Sequence, residues 1–330
     1  MPRGGDTWLY RPRTGETRLL LADTSDARWS PDGSEIAFVR ADGLYLADGE
    51  GENERRIHED SNLARPVWSP DGVRIAFTRT QPGMHLRGDV LVWERNGGDV
   101  RQVARGVNPA WAPDSKRIAY VTEPAGQPRR NQLRLVSWEG QNDWPLVRDL
   151  PPDLPAIGVP GSGVTRANYE HIMEQPFWDA EGQYVYVASF VIYQALSDFF
   201  IWERADATNG GSTFLGELWG SRSHPSPDRR AALFEGSSAR GDTWFVARAL
   251  EGPDEEWRWA EVERGSLALA PAWAPDGTAV AYFACVLEPM PGACDLRLLT
   301  PDGAETLIPG VAGNVGELPP TPSLDWSRGE

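Results

Sequence analysis

The sequence predicts an all-β fold of repeated four-stranded antiparallel units, and three observations carry that prediction. A five-residue phrase, Trp-Ser-Pro-Asp-Gly or a close variant, recurs along the chain. Each copy is followed by a short apolar segment that alternates with period two. A further pair of alternating segments, joined by its own turn, then follows. Repeats of roughly 40 to 50 residues mark a propeller or a solenoid, because one unit cannot bury its own hydrophobic face.

The chain opens on an orphan hairpin, Thr7–Leu21 around Arg13-Thr-Gly15, with no phrase before it. The phrase then reads Trp29-Ser-Pro-Asp-Gly33 ahead of Ile36–Val39, and Trp68-Ser-Pro-Asp-Gly72 ahead of Ile75–Thr78. It returns as Trp111-Ala-Pro-Asp-Ser115 ahead of Ile118–Val121, and as Trp178-Asp-Ala-Glu-Gly182 ahead of Val185–Ala188. A degraded copy, Pro225-Ser-Pro-Asp-Arg229, precedes a clean one, Trp273-Ala-Pro-Asp-Gly277. Asp325-Trp326-Ser327 begins the phrase once more. Second hairpins are expected at Leu44–Ile57, Asp89–Ala104, Gln132–Val147, Phe199–Leu218, Thr243–Val262 and Asp295–Ile308.

Each residue of the phrase has a mechanical reason. Proline presets φ for the second position of a type I turn, Asp suits the third, and Gly accepts the positive φ that closes the hairpin. Tryptophan would fill the wedge between neighbouring sheets. The repeated residues are therefore read as structural: Trp29, Asp32, Gly33, Trp68, Asp71, Gly72, Trp111, Asp114, Trp178, Trp273, Asp276, Gly277 and Trp326. The expected architecture is one propeller over residues 1–330, with blades at 28–58, 67–104, 110–148, 177–218, 224–262 and 272–308. A seventh blade would be shared between 324–330 and 6–21 to close the ring, with six blades as the alternative. Residues 149–176 form a long insertion between blades.

These residues resemble the Trp-Ser-Pro-Asp-Gly (PD40, WD40-like) repeats of the TolB-like propeller family, also seen in prolyl oligopeptidase-like and oligogalacturonate lyase-like propellers. The resemblance spans nearly the whole chain and implies fold far more than function. The TolB pattern places an α/β domain ahead of six blades, whereas the first hairpin here starts within a few residues of Met1. Prolyl oligopeptidase relatives carry a Gly-x-Ser-x-Gly elbow, and Gly236-Ser-Ser-Ala-Arg-Gly241 misses its spacing. Oligogalacturonate lyase-like propellers set several histidines around a divalent metal.

A formal charge of −16 argues against a nucleic-acid partner, which calls for a basic patch. Lys116 is the sole lysine. No apolar run reaches transmembrane length, and no secretory signal is evident. The short lead before the first hairpin is the mark expected of a chain trimmed from something longer. The chain is expected to be monomeric. Cys285 and Cys294 flank the loop 286–293, so a disulfide between them is expected, with reduced thiols as the alternative. The bond would place the protein in an extracytoplasmic, oxidising compartment.

In an up-and-down blade, the phrase turns lie at one end and the insertions at the other. The insertions are 81–88, 123–130, 190–197, 286–293, 149–175 and 309–323. Loops beyond about 12 to 15 residues inside compact domains are usually functional or disordered. The second half of 149–175 is expected to make a short helical turn. His85, Arg87, Arg129, Arg130, Tyr169, Glu170, His171, Tyr193 and His224 are the candidate binding residues. All four histidines, with His58 the remaining one, map to this end. The bland alternative is a lid that fills the opening.

Three functions follow. The first is a non-catalytic binding module for a protein or peptide, needing no cofactor and no catalytic residue. The second is a metal-dependent carbohydrate lyase or hydrolase, with His171 and His224 as ligands to a divalent metal. The third is a sensor or substrate-gating propeller from a larger receptor or peptidase.

Overall fold

A computed structural model describes residues 5–11, 14–149, 151, 169–193, 197–218, 223–237, 243–250, 256–261, 266–286, 293–300, 304–314 and 325. Among these residues no helix is long and apolar enough to cross a membrane. The chain divides into a central unit, Asn62–Ser223, and a terminal unit made of Met1–Ser61 and His224–Glu330.

The strands follow chain order and pair antiparallel. Blade 1 comprises β1 (Gly5–Arg11), β2 (Glu16–Trp29), β3 (Glu35–Arg40), β4 (Gly43–Asp48) and β5 (Arg55–Glu59). Blade 2 comprises β6 (Leu63–Trp68), β7 (Arg74–Gln81), β8 (Met84–Glu94) and β9 (Val100–Arg105). Blade 3 comprises β10 (Val107–Trp111), β11 (Arg117–Val121), β12 (Leu133–Ser137) and β13 (Trp144–Val147). In blade 4, β14 (Tyr169–Met173) and β15 (Phe177–Trp178) both pair with β16 (Tyr184–Tyr193), which leads to β17 (Ser197–Asp206) and β18 (Ser212–Leu218). Blade 5 comprises β19 (Ser223–Pro225), β20 (Ala231–Ser237), β21 (Thr243–Ala249) and β22 (Glu256–Glu261). Blade 6 comprises β23 (Ser266–Trp273), β24 (Val280–Val286), β25 (Ala293–Leu299) and β26 (Glu305–Asn314).

The described residues thus form six blades rather than seven. The expected shared blade fails because β2 is a single long strand. Its first half pairs with β1 and its second half with β3, so the orphan hairpin extends blade 1. Trp326 lies outside the described residues. Asp325 is described, and its Oδ2 accepts the main-chain N–H of Trp29 at 2.9 Å. A second correction concerns residues 169–173. They form strand β14 and not a helical turn, because Tyr169 to Met173 ladder onto Tyr193 to Ser189.

The phrase turns are built as their chemistry requires. Gly33 N–H donates to Ser30 O at 2.9 Å, with Gly33 at φ +73°. Where glycine is missing, Ser115 and Arg229 take φ +57° and +56° at the same place. The aspartate caps each turn: Asp32 Oδ1 accepts from Ser30 Oγ at 2.6 Å and from Ser34 N at 3.0 Å. These bonds pull the Asp32 carboxyl down to about 2, the Ser30 hydroxyl contributing most.

The tryptophans do more than fill wedges. Trp111 Nε1 donates to Val67 O at 3.0 Å, and Trp178 Nε1 donates to Ala110 O at 3.0 Å. In the terminal unit Trp273 Nε1 donates to His224 O at 2.9 Å. In each case the acceptor immediately precedes the phrase of the previous blade. Trp111 packs on Ala76, Val90 and Val92 of blade 2, and Trp178 on Ala112, Ala119 and Val121 of blade 3. Arg117 lies over the Trp178 ring at 4.8 Å and donates to Gly182 O at 3.1 Å.

The expected disulfide is present. Cys285 and Cys294 are directly opposed on β24 and β25, buried, and bonded.

Candidate functional site

In the central unit the turns opposite the phrase end are tied into a row. The segment between β11 and β12 doubles back on itself: Ala125 N donates to Arg130 O at 2.8 Å and Arg130 N to Ala125 O at 2.9 Å. Its far limb then runs beside β14, with His171 N donating to Arg129 O at 3.0 Å and Asn131 N to His171 O at 3.2 Å. Side chains reinforce that seam. Arg129 binds the Glu170 carboxylate through Nε at 3.1 Å and Nη2 at 2.8 Å. Arg130 Nε donates to Tyr169 O at 3.3 Å, and its Nη1 pairs with Asp149. On the other flank Arg87 Nε lies 3.2 Å from Glu123 Oε2.

Five of the predicted binding residues, Arg129, Arg130, Tyr169, Glu170 and His171, therefore meet at one seam, and Arg87 joins it through Glu123. The hydrogen bonds from Arg129 hold the Glu170 carboxyl below its ordinary range. Both partners are partly solvent-exposed, so the pair contributes at most about 1 kcal/mol to stability. Its effect is to fix geometry. Tyr193 pairs with Tyr169 at the end of β16, and His85 lies in β8; their side chains fall outside the described residues.

His171 itself points inward. Its Nε2 sits 2.7 Å from Glu203 Oε1, and both side chains are fully buried. Ser189 Oγ donates to the same carboxylate oxygen. Asn131 closes the seam from blade 3, its Nδ2 donating to Met173 O at 2.7 Å and its Oδ1 accepting from Met173 N at 2.8 Å. The constellation contains a serine, a histidine and a glutamate, but the serine faces the glutamate rather than the imidazole. A nucleophile would need its hydroxyl on the histidine and open to substrate. Sequence reading missed Glu203, Ser189 and Asn131; no local pattern marks them, since β17 brings Glu203 to His171 from 32 residues away.

His224 belongs to the terminal unit, where its Nε2 lies 2.9 Å from Glu235 Oε1. His58 Nε2 lies 3.8 Å from Asp60 Oδ2. Among the described residues no three His, Cys, Asp or Glu side chains assemble into a set that could hold a metal ion. The described residues therefore do not supply the donor set that a divalent metal requires.

A second cluster was also illegible in sequence. The strands that run into the phrase in blades 1, 2 and 3, namely β2, β6 and β10, each carry a register shift just before it, and there Asp26, Arg65 and Asn108 take φ +50°, +55° and +58°. In the central unit two of these residues reach blade 4. Asn108 Nδ2 donates to Glu174 O at 2.9 Å. With the Gln175 amide oxygen turned toward Arg65, it accepts from Nη1 at 2.7 Å and from Nη2 at 3.2 Å.

With this geometry in place, comparison with known proteins supports the architecture. Residues 3–84 match the family model of the dipeptidyl peptidase IV (DPP IV) N-terminal region. No curated protein sequence matches the chain. Among solved structures, the chain is similar to an oligogalacturonate lyase in complex with manganese, with 14% identity, TM-score 0.66 and coverage of 89% of this chain and 82% of that one. It is similar to a putative TolB from Agrobacterium tumefaciens, with 14% identity, TM-score 0.52 and coverage of 93% and 89%. It also resembles a prolyl endopeptidase, with 16% identity and TM-score 0.56, over 88% of this chain but 43% of that one. The fold is a β-propeller. At these identities the likeness concerns fold alone.

Proposed function

We propose that the protein is a non-catalytic binding module that presents the seam of its central unit to a protein or peptide partner. The observation that carries this reading is the stitched segment between β11 and β12. Arg129–Glu170, Arg130–Asp149 and Arg87–Glu123 hold an otherwise irregular loop in one conformation. A loop ordered in advance loses less entropy on binding. The surface it offers suits a polypeptide: part-exposed guanidinium groups alternate with carboxylates, and Met84, 49% exposed, stands at the tip of the β7–β8 hairpin.

The test is affinity capture followed by reconstitution with the purified partner, comparing wild type with Met84→Asp and Arg129→Glu. The expected result is a loss of affinity of tenfold or more in both variants, about 1.4 kcal/mol, with unfolding unchanged. Equal binding by both variants would move the partner to another surface. Metal-dependent turnover of an acidic oligosaccharide by the purified wild-type protein would replace the module reading with the lyase one.

A second reading, a gating or sensing propeller within a larger polypeptide, draws support from the match of residues 3–84 to a peptidase N-terminal region. A contiguous peptidase or receptor segment encoded beside this chain is the observation that would establish it.

A further inference from the structure

Main-chain hydrogen bonds are alike at every residue, so they hold a strand without choosing its register. Strand β14 depends on that choice more than its neighbours do. It is five residues long and is parted from β15 by residues 174–176. Tyr169, His171 and Met173 alternate onto one of its faces, opposite Tyr193, Val191 and Ser189 of β16. A slip of one residue would turn that face the wrong way. A slip of two would set Tyr169 opposite Val191 and keep the alternation intact, so the apolar pattern alone does not forbid it.

His171 does forbid it. Its Nε2 meets Glu203 Oε1 at 2.7 Å with both side chains fully buried, and Ser189 Oγ donates to the same oxygen. Two residues are about 7 Å along a strand, so the slip would carry the imidazole away and leave a buried carboxylate without it. That carboxylate is no part of the repeat. The residue facing the fourth position of the second strand is Leu91, opposite Phe77, in blade 2 and Arg134, opposite Tyr120, in blade 3; opposite Val187 it is Glu203. Fixing a register is the best-attested use of a single buried polar contact. The register of β14 is also that of the seam. His171 turns its N–H to Arg129 O at 3.0 Å and its carbonyl to Asn131 N at 3.2 Å, and the neighbouring Glu170 receives Arg129. We propose that Glu203 is a positioning residue: through His171 it pins β14 in register and so sets where Tyr169 and Glu170 meet Arg129 and Arg130. The proposal rests on the seam being the binding surface and adds what fixes its shape.

The experiment uses the whole, isotopically labelled protein and two readouts. One is the Hα–Hα contact between His171 and Val191, expected of a non-hydrogen-bonded pair with Cα atoms about 4.5 Å apart. The other is amide exchange at positions 171 and 131, set against Trp138, whose N–H donates to Lys116 O at 3.0 Å in blade 3. The variants are Glu203→Gln, which keeps an acceptor for the imidazole, and His171→Leu with Glu203→Leu, which makes both positions apolar. The double variant is expected to fold, to lose the 171–191 contact, and to exchange at 171 and 131 about tenfold or more faster with Trp138 unchanged. Glu203→Gln is expected to keep the contact. If the double variant does not fold, Glu203→Leu alone carries the same expectation. An unchanged contact with unchanged rates overturns the proposal. So does acceleration spread equally to Trp138, which means lost stability and not lost register. Neither readout needs a partner, so the pin can stand where capture through Arg129 fails, and the reverse.

Discussion

Trp111 donates its indole N–H to the main-chain oxygen of Val67 at 3.0 Å, joining blade 3 to blade 2 through backbone rather than side chain. The ring is buried among blade 2 residues. Trp111→Phe keeps most of that apolar volume but takes the indole donor from a part-buried carbonyl, and is expected to cost about 1–2 kcal/mol. Trp111→Ala is expected to cost about 3–5 kcal/mol, the packing being lost as well. Urea unfolding of both variants measures this; a Phe variant as stable as wild type would show that the bond contributes nothing.

The phrase aspartates predict an acid transition. Asp32 has its folded carboxyl pulled from 3.8 down to about 2, and Thr278 lowers that of Asp276 in the same way. A depressed folded value stabilises fully above the unfolded value, and that contribution disappears as pH falls toward the folded one. Stability is therefore expected to hold above about pH 4 and to decline between about 4 and 2. Asp32→Asn is expected to be less stable at neutral pH and to show a shallower acid decline. An acid slope identical to that of wild type would exclude Asp32 as a contributor.

Arg229 and Ser115 occupy the glycine position of the phrase with positive φ. Arg229→Gly is expected to raise stability by up to about 1 kcal/mol, relief of strain exceeding the added chain entropy. Ser115→Gly is expected to gain less, because Ser115 Oγ also accepts the Asp71 N–H at 3.1 Å. Thermal midpoints of the two variants, side by side, decide the ordering.

The buried His171–Glu203 pair answers to a double-mutant cycle. Removing either side chain leaves the other buried without that bond, so Glu203→Leu or His171→Leu alone is expected to cost about 3–5 kcal/mol. His171→Leu with Glu203→Leu is expected to recover much of that loss. Purely additive costs would mean that the two side chains stabilise independently.

Local chemistry made most of this fold legible. The phrase marks its own turn because proline, aspartate and glycine each impose a backbone condition within five residues. The second hairpins were visible because period-two alternation survives in every copy. Cys285 and Cys294 were readable as a pair because one hairpin separates them. What failed needed information from farther away. Whether Thr7–Leu21 begins a new blade depends on β2 continuing through residues 22–28, where alternation is broken by the bulge at Asp26. Residues 169–173 read as a helical turn because their partner strand lies beyond the next phrase. The site was half legible: its arginines and Glu170 were named, but Glu203, Asn131 and Gln175 acquire meaning only when neighbouring blades pack.

The indole bond of Trp273 ends on the carbonyl of His224, just ahead of Pro225, where the other copies of the phrase carry tryptophan. Socket and plug are thus separate parts of a repeat wherever this bond is seen. A repeat without its own plug still receives the next one's, because every residue has a carbonyl to offer. A copy that has lost its tryptophan keeps the joint ahead of it, which is how one as worn as Pro225–Arg229 still receives Trp273.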